Sequence, residues 1–239
     1  MNAPFPYKIY SCGDHAITVD FGNVIDEAIN IYVLQLFHQS KQKNIPGVID
    51  VIPAYSSLTL VYDIVTISKN ASATTAYNWV AQQLEIILQE KKEQVPGTGK
   101  IIQIPACYED AYAPDLQEMA QQKNMQPSDI IRLHCCKQYR VYMLGFLPGF
   151  AYMGTVESSI SMPRRATPRI KVPEGSIGIA GLQTGIYPME SPGGWNLIAQ
   201  TPLKLFDVTK AVPVLLQAGD SVQFYPINAD EFKQLKSAP

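Results

Sequence analysis

A chain of 239 residues, 46% of them hydrophobic, is long enough for one large domain or two small ones and can bury a sizeable core. Its net charge of −2 and pI near 5.9 argue against nonspecific nucleic-acid binding, which needs a basic domain, but leave room for a local basic site. No run approaches the roughly 20 apolar residues that span a bilayer, and "MNAPFPYKIYSCGD" lacks a basic region followed by an apolar one; a cytoplasmic protein engaging neither nucleic acid nor membrane is expected.

In chain order, "KIYSCGDHAITVDFG" reads as two short strands around a Gly13-Asp14 turn. Ile29, Tyr32, Val33, Leu36 and Phe37 then fall at helical spacing, with Asp26 as N-cap and Pro46-Gly47 ending the segment. "VIDVIPAYSSLTLVYDI" predicts two more strands around Ser56-Ser57, and Tyr77, Val80, Ala81, Leu84, Ile87 and Leu88 mark a second helix. The order is ββαββα, the pattern of a weak internal duplication, and predicts a sheet with two helices on one face. Its role is either a docking surface or a packing module.

"KKEQVPGTGK" is charged, then Pro/Gly-rich, and predicts a linker over residues 91–100, separating domains at 1–92 and 100–239. Its end is not a phosphate loop, because that motif requires glycine and a hydroxyl where Gln94 and Ile101 stand. A strand "IIQIPACY" follows, then a helix over "APDLQEMAQQKN" capped by Asp115 and a short helix over "PSDIIRLHCC" capped by Ser128. From Gln138 onward helical spacing almost vanishes. Short apolar runs such as "RVYMLGF", "SIGIAG" and "SVQFYPI" alternate with Gly/Pro turns, predicting a β-barrel or sandwich.

Cys12, Cys107, Cys135 and Cys136 form no CxxC motif, and three histidines add little scope for zinc, so no metal site is expected. Reduced thiols packed as small hydrophobes are the expectation, with the adjacent pair Cys135–Cys136 as the redox alternative. His15 and His38 read as surface or sheet residues. His134 ends a short helix whose dipole favours its protonated form; it is either a general acid or base or a hydrogen-bonded structural residue. No GxSxG elbow or paired-carboxylate motif stands out, which points to a component of a larger catalyst.

The least random feature lies between Gly145 and Trp195, where nine of the fifteen glycines fall and where "PRRATPR" carries three of the five arginines. Guanidinium groups about 6 Å apart repel by roughly 3 kcal/mol at an effective dielectric of about 20. Holding Arg164, Arg165 and Arg169 together therefore calls for an anion, a carboxylate or phosphate; the alternatives are a solvated basic edge on which they splay apart, or salt bridges to Glu157, Glu174 or Glu190. In an extended run Arg165, Arg169 and Lys171 share one face and Arg164 takes the other. "MLGFLPGFAYMG" and "LQTGIYPMESPGGW" flank the cluster in sequence. In these, Pro192 and Gly193 are expected to form a turn with Gly193 at positive φ, Gly149 and Gly194 to expose backbone amides, and Phe146, Phe150 and Trp195 to wall a pocket; Gln183 lies in the second stretch. The alternative is a pair of tight barrel corners whose aromatics face the core.

"LGFLPGFAYMG", "MPRRATPRIKVPEGSIGIAGLQTGIYPMESPGGWNLIAQTPLKLFD" and "APDLQEMA" resemble the family of B-type 5-oxoprolinase subunits, which also includes the Kip-type inhibitor of a sporulation sensor kinase and the domain called allophanate hydrolase subunit 1. The likeness covers nearly the whole chain; it departs at Met153, where an aliphatic is usual, and at Thr155-Val156, where Gly-Leu is more common. The resemblance implies an α+β protein: an N-terminal α/β sandwich followed by a cyclophilin-like β-barrel. It implies C-type and A-type partner proteins, and ATP, in the assembled complex, driving the opening of 5-oxoproline to glutamate. Phosphorylation would make the poor lactam electrophile cleavable, with the three arginines holding the substrate carboxylate or the phosphoryl group. Within the same family the alternative is a regulatory module that binds a sensor histidine kinase. Urea-derived carboxylate chemistry is a third.

Overall fold

The computed structural model describes residues 3–70, 75–90 and 99–237. The chain divides into two units, Met1–Gly97 and Thr98–Pro239. Most of the expected linker, residues 91–98, lies outside the described residues.

The first unit runs β1 (Lys8–Ser11), β2 (Ala16–Asp20), α1 (Glu27–Lys43), β3 (Val48–Pro53), β4 (Ser57–Tyr62), α2 (Ile64–Asn70) and α3 (Ala76–Gln89). Its four strands form one antiparallel sheet in the order β1-β2-β4-β3. Side chains alternate across a strand, so the cross-strand partners Ile17 and Leu60, and Val19 and Leu58, share a face. They form one buried cluster with Val33 and Leu36 of α1 and Val80, Leu84 and Ile87 of α3. Asp26 caps α1 as its sequence predicts: Ile29 N–H donates to Asp26 Oδ1 at 2.9 Å. The seven-residue α2 has no counterpart in the sequence reading, being too short for an apolar period to show. His38 lies exposed on α1, a surface residue and not a sheet one.

The second unit contains β5 (Ile101–Cys107), α4 (Leu116–Lys123), α5 (Pro127–Cys135), β6 (Gln138–Leu144), β7 (Ala151–Gly154), β8 (Arg169–Val172), β9 (Ser176–Ala180), β10 (Gln183–Ile186), β11 (Ser191–Gly193), β12 (Asn196–Gln200), β13 (Ser221–Ile227) and α6 (Ala229–Ser237). Seven strands close a barrel in the order β10-β7-β6-β13-β5-β12-β9, and β8 with β11 forms a separate ribbon. Among the described residues, β13 and β5 are the one parallel pair of the barrel. Ile104, Val141, Ile177, Ile179 and Ile198 are fully buried in its core, with Leu116 and Met119 of α4 in the same cluster. No helix among the described residues is long and apolar enough to cross a membrane.

Three local expectations change. Asp115 makes no capping bond to α4, because its carboxylate is engaged elsewhere. Helix α5 starts at Pro127, which puts Ser128 inside its first turn instead of at the cap. Helix α6 follows the barrel where helical spacing was not seen.

Candidate functional site

Phe150, Tyr187, Trp195 and Leu197 form a second small hydrophobic cluster in this unit, separate from the barrel core, with Tyr152 packed against it. Phe150 is its hub. Tyr187 and Trp195 meet it edge-on at 5.2 and 5.6 Å, Tyr152 lies at 4.8 Å, and Phe146 closes from outside at 5.6 Å. Offset and edge-on arrangements suit the ring quadrupoles. The β6–β7 loop brings the two phenylalanines there: Gly145 N–H donates to Phe150 O at 3.2 Å and Phe150 N–H to Leu147 O at 3.0 Å. At its tip Phe146 takes φ +70 and is 62% exposed.

This cluster floors a cavity of about 260 Å³ lined also by Arg164, Pro168, Gly193 and Gly194. The glycines act differently from the sequence expectation. Gly193 has an extended place in β11, opposite Arg169, and a Cβ there would come within 2.8 Å of Tyr187 Cε1. It makes room for the Tyr187 ring and does not form a turn. Gly149 does take a positive φ of +83, but it is buried, and a Cβ would meet Phe206 Cβ at 3.0 Å, so it exposes no amide to a ligand. Gly194 lines the cavity and uses its carbonyl to accept Arg165 N–H at 2.8 Å. Gln183 opens β10, opposite Gly154 and Ala180, and lines neither this cavity nor its neighbour.

The arginine cluster resolves into a pair and a single residue. Arg165 Nη1 donates to Asp115 Oδ1 at 2.8 Å and to Glu118 Oε2 at 3.0 Å, and Arg169 Nη2 donates to the same Asp115 oxygen at 2.5 Å. Asp115 Oδ2 accepts Leu197 N–H at 2.6 Å, and the Asp115 side chain is 3% exposed. Glu118 and, next, Asp115 raise the pKa of Arg165 further above its ordinary value. Arg169 Nη1 is buried with no hydrogen-bond partner, so this guanidinium depends on Asp115. Asp115 is buried but both arginines are only half-buried, so removing it leaves two guanidinium groups uncompensated that water still partly screens. The carboxylates named in the sequence reading are not the partners: Glu190 pairs with Lys171 at 3.0 Å and Glu157 with Lys137 at 3.0 Å.

Arg164 is left over. It is exposed and forms no ion pair with a carboxylate among the described residues. It lines the aromatic cavity and a second, more polar one of about 410 Å³, shared with Arg165, Thr167, Gln122 and Asn196. Burial raises the phenol pKa of Tyr152, and the Arg164 charge opposes that shift; at Tyr187 burial again dominates, opposed by a hydrogen bond with the Trp195 backbone and then by Arg164. A flat or apolar group carrying one negative charge matches these walls and this cation.

His134 lies elsewhere. It is fully buried in the barrel, stacked on Phe224 at 4.5 Å and Tyr139 at 5.3 Å. Burial lowers its pKa to about 3, overriding the helix dipole, so the protonated form expected from sequence does not occur at neutral pH. Thr184 Oγ1 donates to Gly178 O at 3.1 Å, so His134 Nε2–H donates to Thr184 at 3.1 Å, and Nδ1 accepts from Tyr108 O–H at 2.7 Å. Both ring nitrogens are engaged and none is offered to a substrate. The four cysteines are free; Cys135 Sγ bonds Tyr108 Oη at 3.3 Å, and burial raises its pKa.

Asp115, Glu118, Tyr152 and Tyr187 complete the arrangement and escaped the sequence reading. Asp115 carries a helix-cap signal that hides its real task, and its arginine partners lie 50 and 54 residues away.

The model of the carboxyltransferase domain, subdomain C and D, matches residues 7–216. The chain is 39% identical over 232 residues to the B-type subunit of 5-oxoprolinase from Bacillus subtilis, covering 96% of this chain and 97% of that protein. It is 33% identical over 220 residues to the B-type subunit of 5-oxoprolinase from Escherichia coli O157:H7, covering 92% and 95%. Among solved structures, TTHA0988 superposes with a TM-score of 0.76 at 32% identity, over 90% of this chain and 40% of that one.

Proposed function

The chain belongs to the carboxyltransferase-domain family, subdomains C and D, and within it to the B-type 5-oxoprolinase subunits; from that premise we propose that it is the B-type component of an ATP-dependent 5-oxoprolinase, working in the cytoplasm with A-type and C-type partners to open 5-oxoproline to glutamate. The observation that carries this reading is the match along almost the whole length of both chains. The barrel is assigned with it to the cyclophilin-like type, a likeness of fold that brings no prolyl-isomerase chemistry.

The substrate sits in the aromatic cavity. A five-membered lactam lies against Phe146, Tyr152 and Trp195, and its carboxylate takes the paired N–H groups of Arg164. A volume of about 260 Å³ suits this small molecule. It does not suit a nucleoside triphosphate: the lining offers one free guanidinium and no lysine for three phosphates. ATP is therefore assigned to a partner protein, where its γ-phosphoryl group passes to the lactam oxygen with release of ADP; water adds to the activated carbon, the ring C–N bond breaks and the nitrogen leaves protonated as the amine, and a second water hydrolyses the resulting acyl phosphate to glutamate and phosphate. This chain's residues bind the ring, fix the carboxylate and exclude water from the apolar wall.

Isolated chain should release no glutamate from 5-oxoproline and ATP, whereas mixing it with its A-type and C-type partners should restore turnover. Lack of turnover in the complete mixture defeats the proposal. In the active mixture, Arg164→Gln should raise KM for 5-oxoproline about tenfold or more, as expected for losing a charged hydrogen-bond pair. An unchanged KM removes the substrate from Arg164.

A further inference from the structure

We infer that Asp115 is a positioning residue: by gripping Arg165, Arg169 and the Leu197 amide at once, it leaves Arg164 as the guanidinium that faces the aromatic cavity. The inference rests on the proposed function only for the identity of the anion that Arg164 binds; the aim of Arg164 is a property of this chain alone.

The backbone on either side of Arg164 is tied down. Asn196 Nδ2 donates to Pro163 O at 2.8 Å, and Arg165 N–H donates to Gly194 O at 2.8 Å. These ties fix where the loop runs, but they do not choose between two adjacent arginines of the same charge and reach. Asp115 makes that choice. Its Oδ1 holds both Arg165 and Arg169, and Glu118 adds a second hold on Arg165. Asp115 itself cannot swing away: Oδ2 accepts Leu197 N–H at 2.6 Å, and its own N–H donates to Leu197 O at 3.0 Å. Two carboxylates offset two guanidinium charges, so the uncompensated positive charge of the loop is Arg164. Without the clasp, the buried anion no longer screens Arg165 and Arg169, and their repulsion drives the unanchored Arg164 away from the cavity mouth into solvent.

The test needs no substrate. The chain has two tryptophans, so Trp79→Phe leaves Trp195, on the cavity wall, as the fluorescent reporter. Quenching by iodide is divided by quenching by neutral acrylamide, and this ratio reads the local charge. A unit charge about 5 Å from the collision point changes local iodide about fourfold in water, less with added salt. Arg164→Gln should therefore lower the ratio about two- to fourfold. Asp115→Asn removes a negative charge, so an electrostatic effect without positioning would raise the ratio; loss of the clasp should instead lower it by at least half of the Arg164→Gln effect. Glu118→Gln, which leaves the Asp115 grip in place, should not lower it.

Arg165→Lys keeps the charge on a shorter side chain, drawing it back from the two carboxylates that Arg165 Nη1 bonds. It should also lower the ratio, and it decides the matter if Asp115→Asn does not fold. An unchanged or raised ratio in a folded clasp variant, or no response to Arg164→Gln, overturns the inference. The reconstitution assay is independent: a falling ratio beside an unaltered KM in Arg164→Gln would sink the substrate assignment and leave the clasp standing.

Discussion

At His134 the barrel removes a charge that the end of α5 would otherwise favour, and this makes the residue a source of acid sensitivity. Its folded pKa of about 3 lies below the unfolded value of 6.5, so between those values the unfolded chain binds a proton that the folded one does not. The contribution is fully present above pH 6.5 and is lost as pH falls toward about 3. His134→Gln should lower stability at pH 7 by about 1–3 kcal/mol, through broken bonds to Tyr108 and Thr184. It should also flatten the decline of stability between pH 6 and 4 by up to about 1.4 kcal/mol per pH unit. Urea denaturation at several pH values measures both; parallel curves for the two proteins would exclude His134 as the titrating group. Of the candidate site, sequence made the aromatic wall and the arginine cluster legible. It could not say which arginines were free, because the deciding carboxylate sits in another part of the chain, beside a proline, where it reads as a helix cap.

Elements were legible where burial imposes a period and obscure where a short segment depends on its ends. Helices α1 and α3 present long apolar faces and stand where spacing puts them, with Asp26 and Thr75 as caps. Helix α6 has only Phe232 buried, so periodicity is weak. Its signal is local: Asn228 Oδ1 accepts the N–H groups of Asp230 and Glu231 at 3.0 and 2.9 Å, and Glu231 Oε2 accepts Asn228 N–H at 2.8 Å. That is a capping box, readable in "NADE" with asparagine in the cap position. Asn228→Ala should cost about 1 kcal/mol and fray α6 first, seen as early amide exchange there before the barrel opens. In β11, Gly193→Ala forces Tyr187 aside and should cost about 1–3 kcal/mol while disturbing the cavity. Retained stability and an unperturbed Trp195 environment would mean that the Tyr187 ring has room to move.

Over the whole molecule the net charge is −2, so a general field does not draw an anion in, and the proposed function relies on Arg164 at short range. Binding of 5-oxoproline should therefore weaken by less than about tenfold when ionic strength rises from roughly 0.01 to 0.15 M, since a single exposed pair is screened. A much steeper dependence, measured by calorimetry on the full chain, would mean that Arg165 and Arg169 also engage the ligand. A β-rich second half was legible from Gly/Pro rhythm and its barrel through the resemblance, but the order of the strands around it was not, because register between distant strands leaves no local mark. That order has a consequence during biosynthesis. Strand β13 slots between β5 and β6, matching Ser221 to Ile101 and Ile227 to Cys107. A nascent chain therefore waits, with β5 and β6 already outside the ribosome and lacking their shared neighbour, until residues 221–227 emerge. Messages cut short before that point would yield an open, sticky sheet, a substrate for chaperones and proteases rather than a protein ready to assemble.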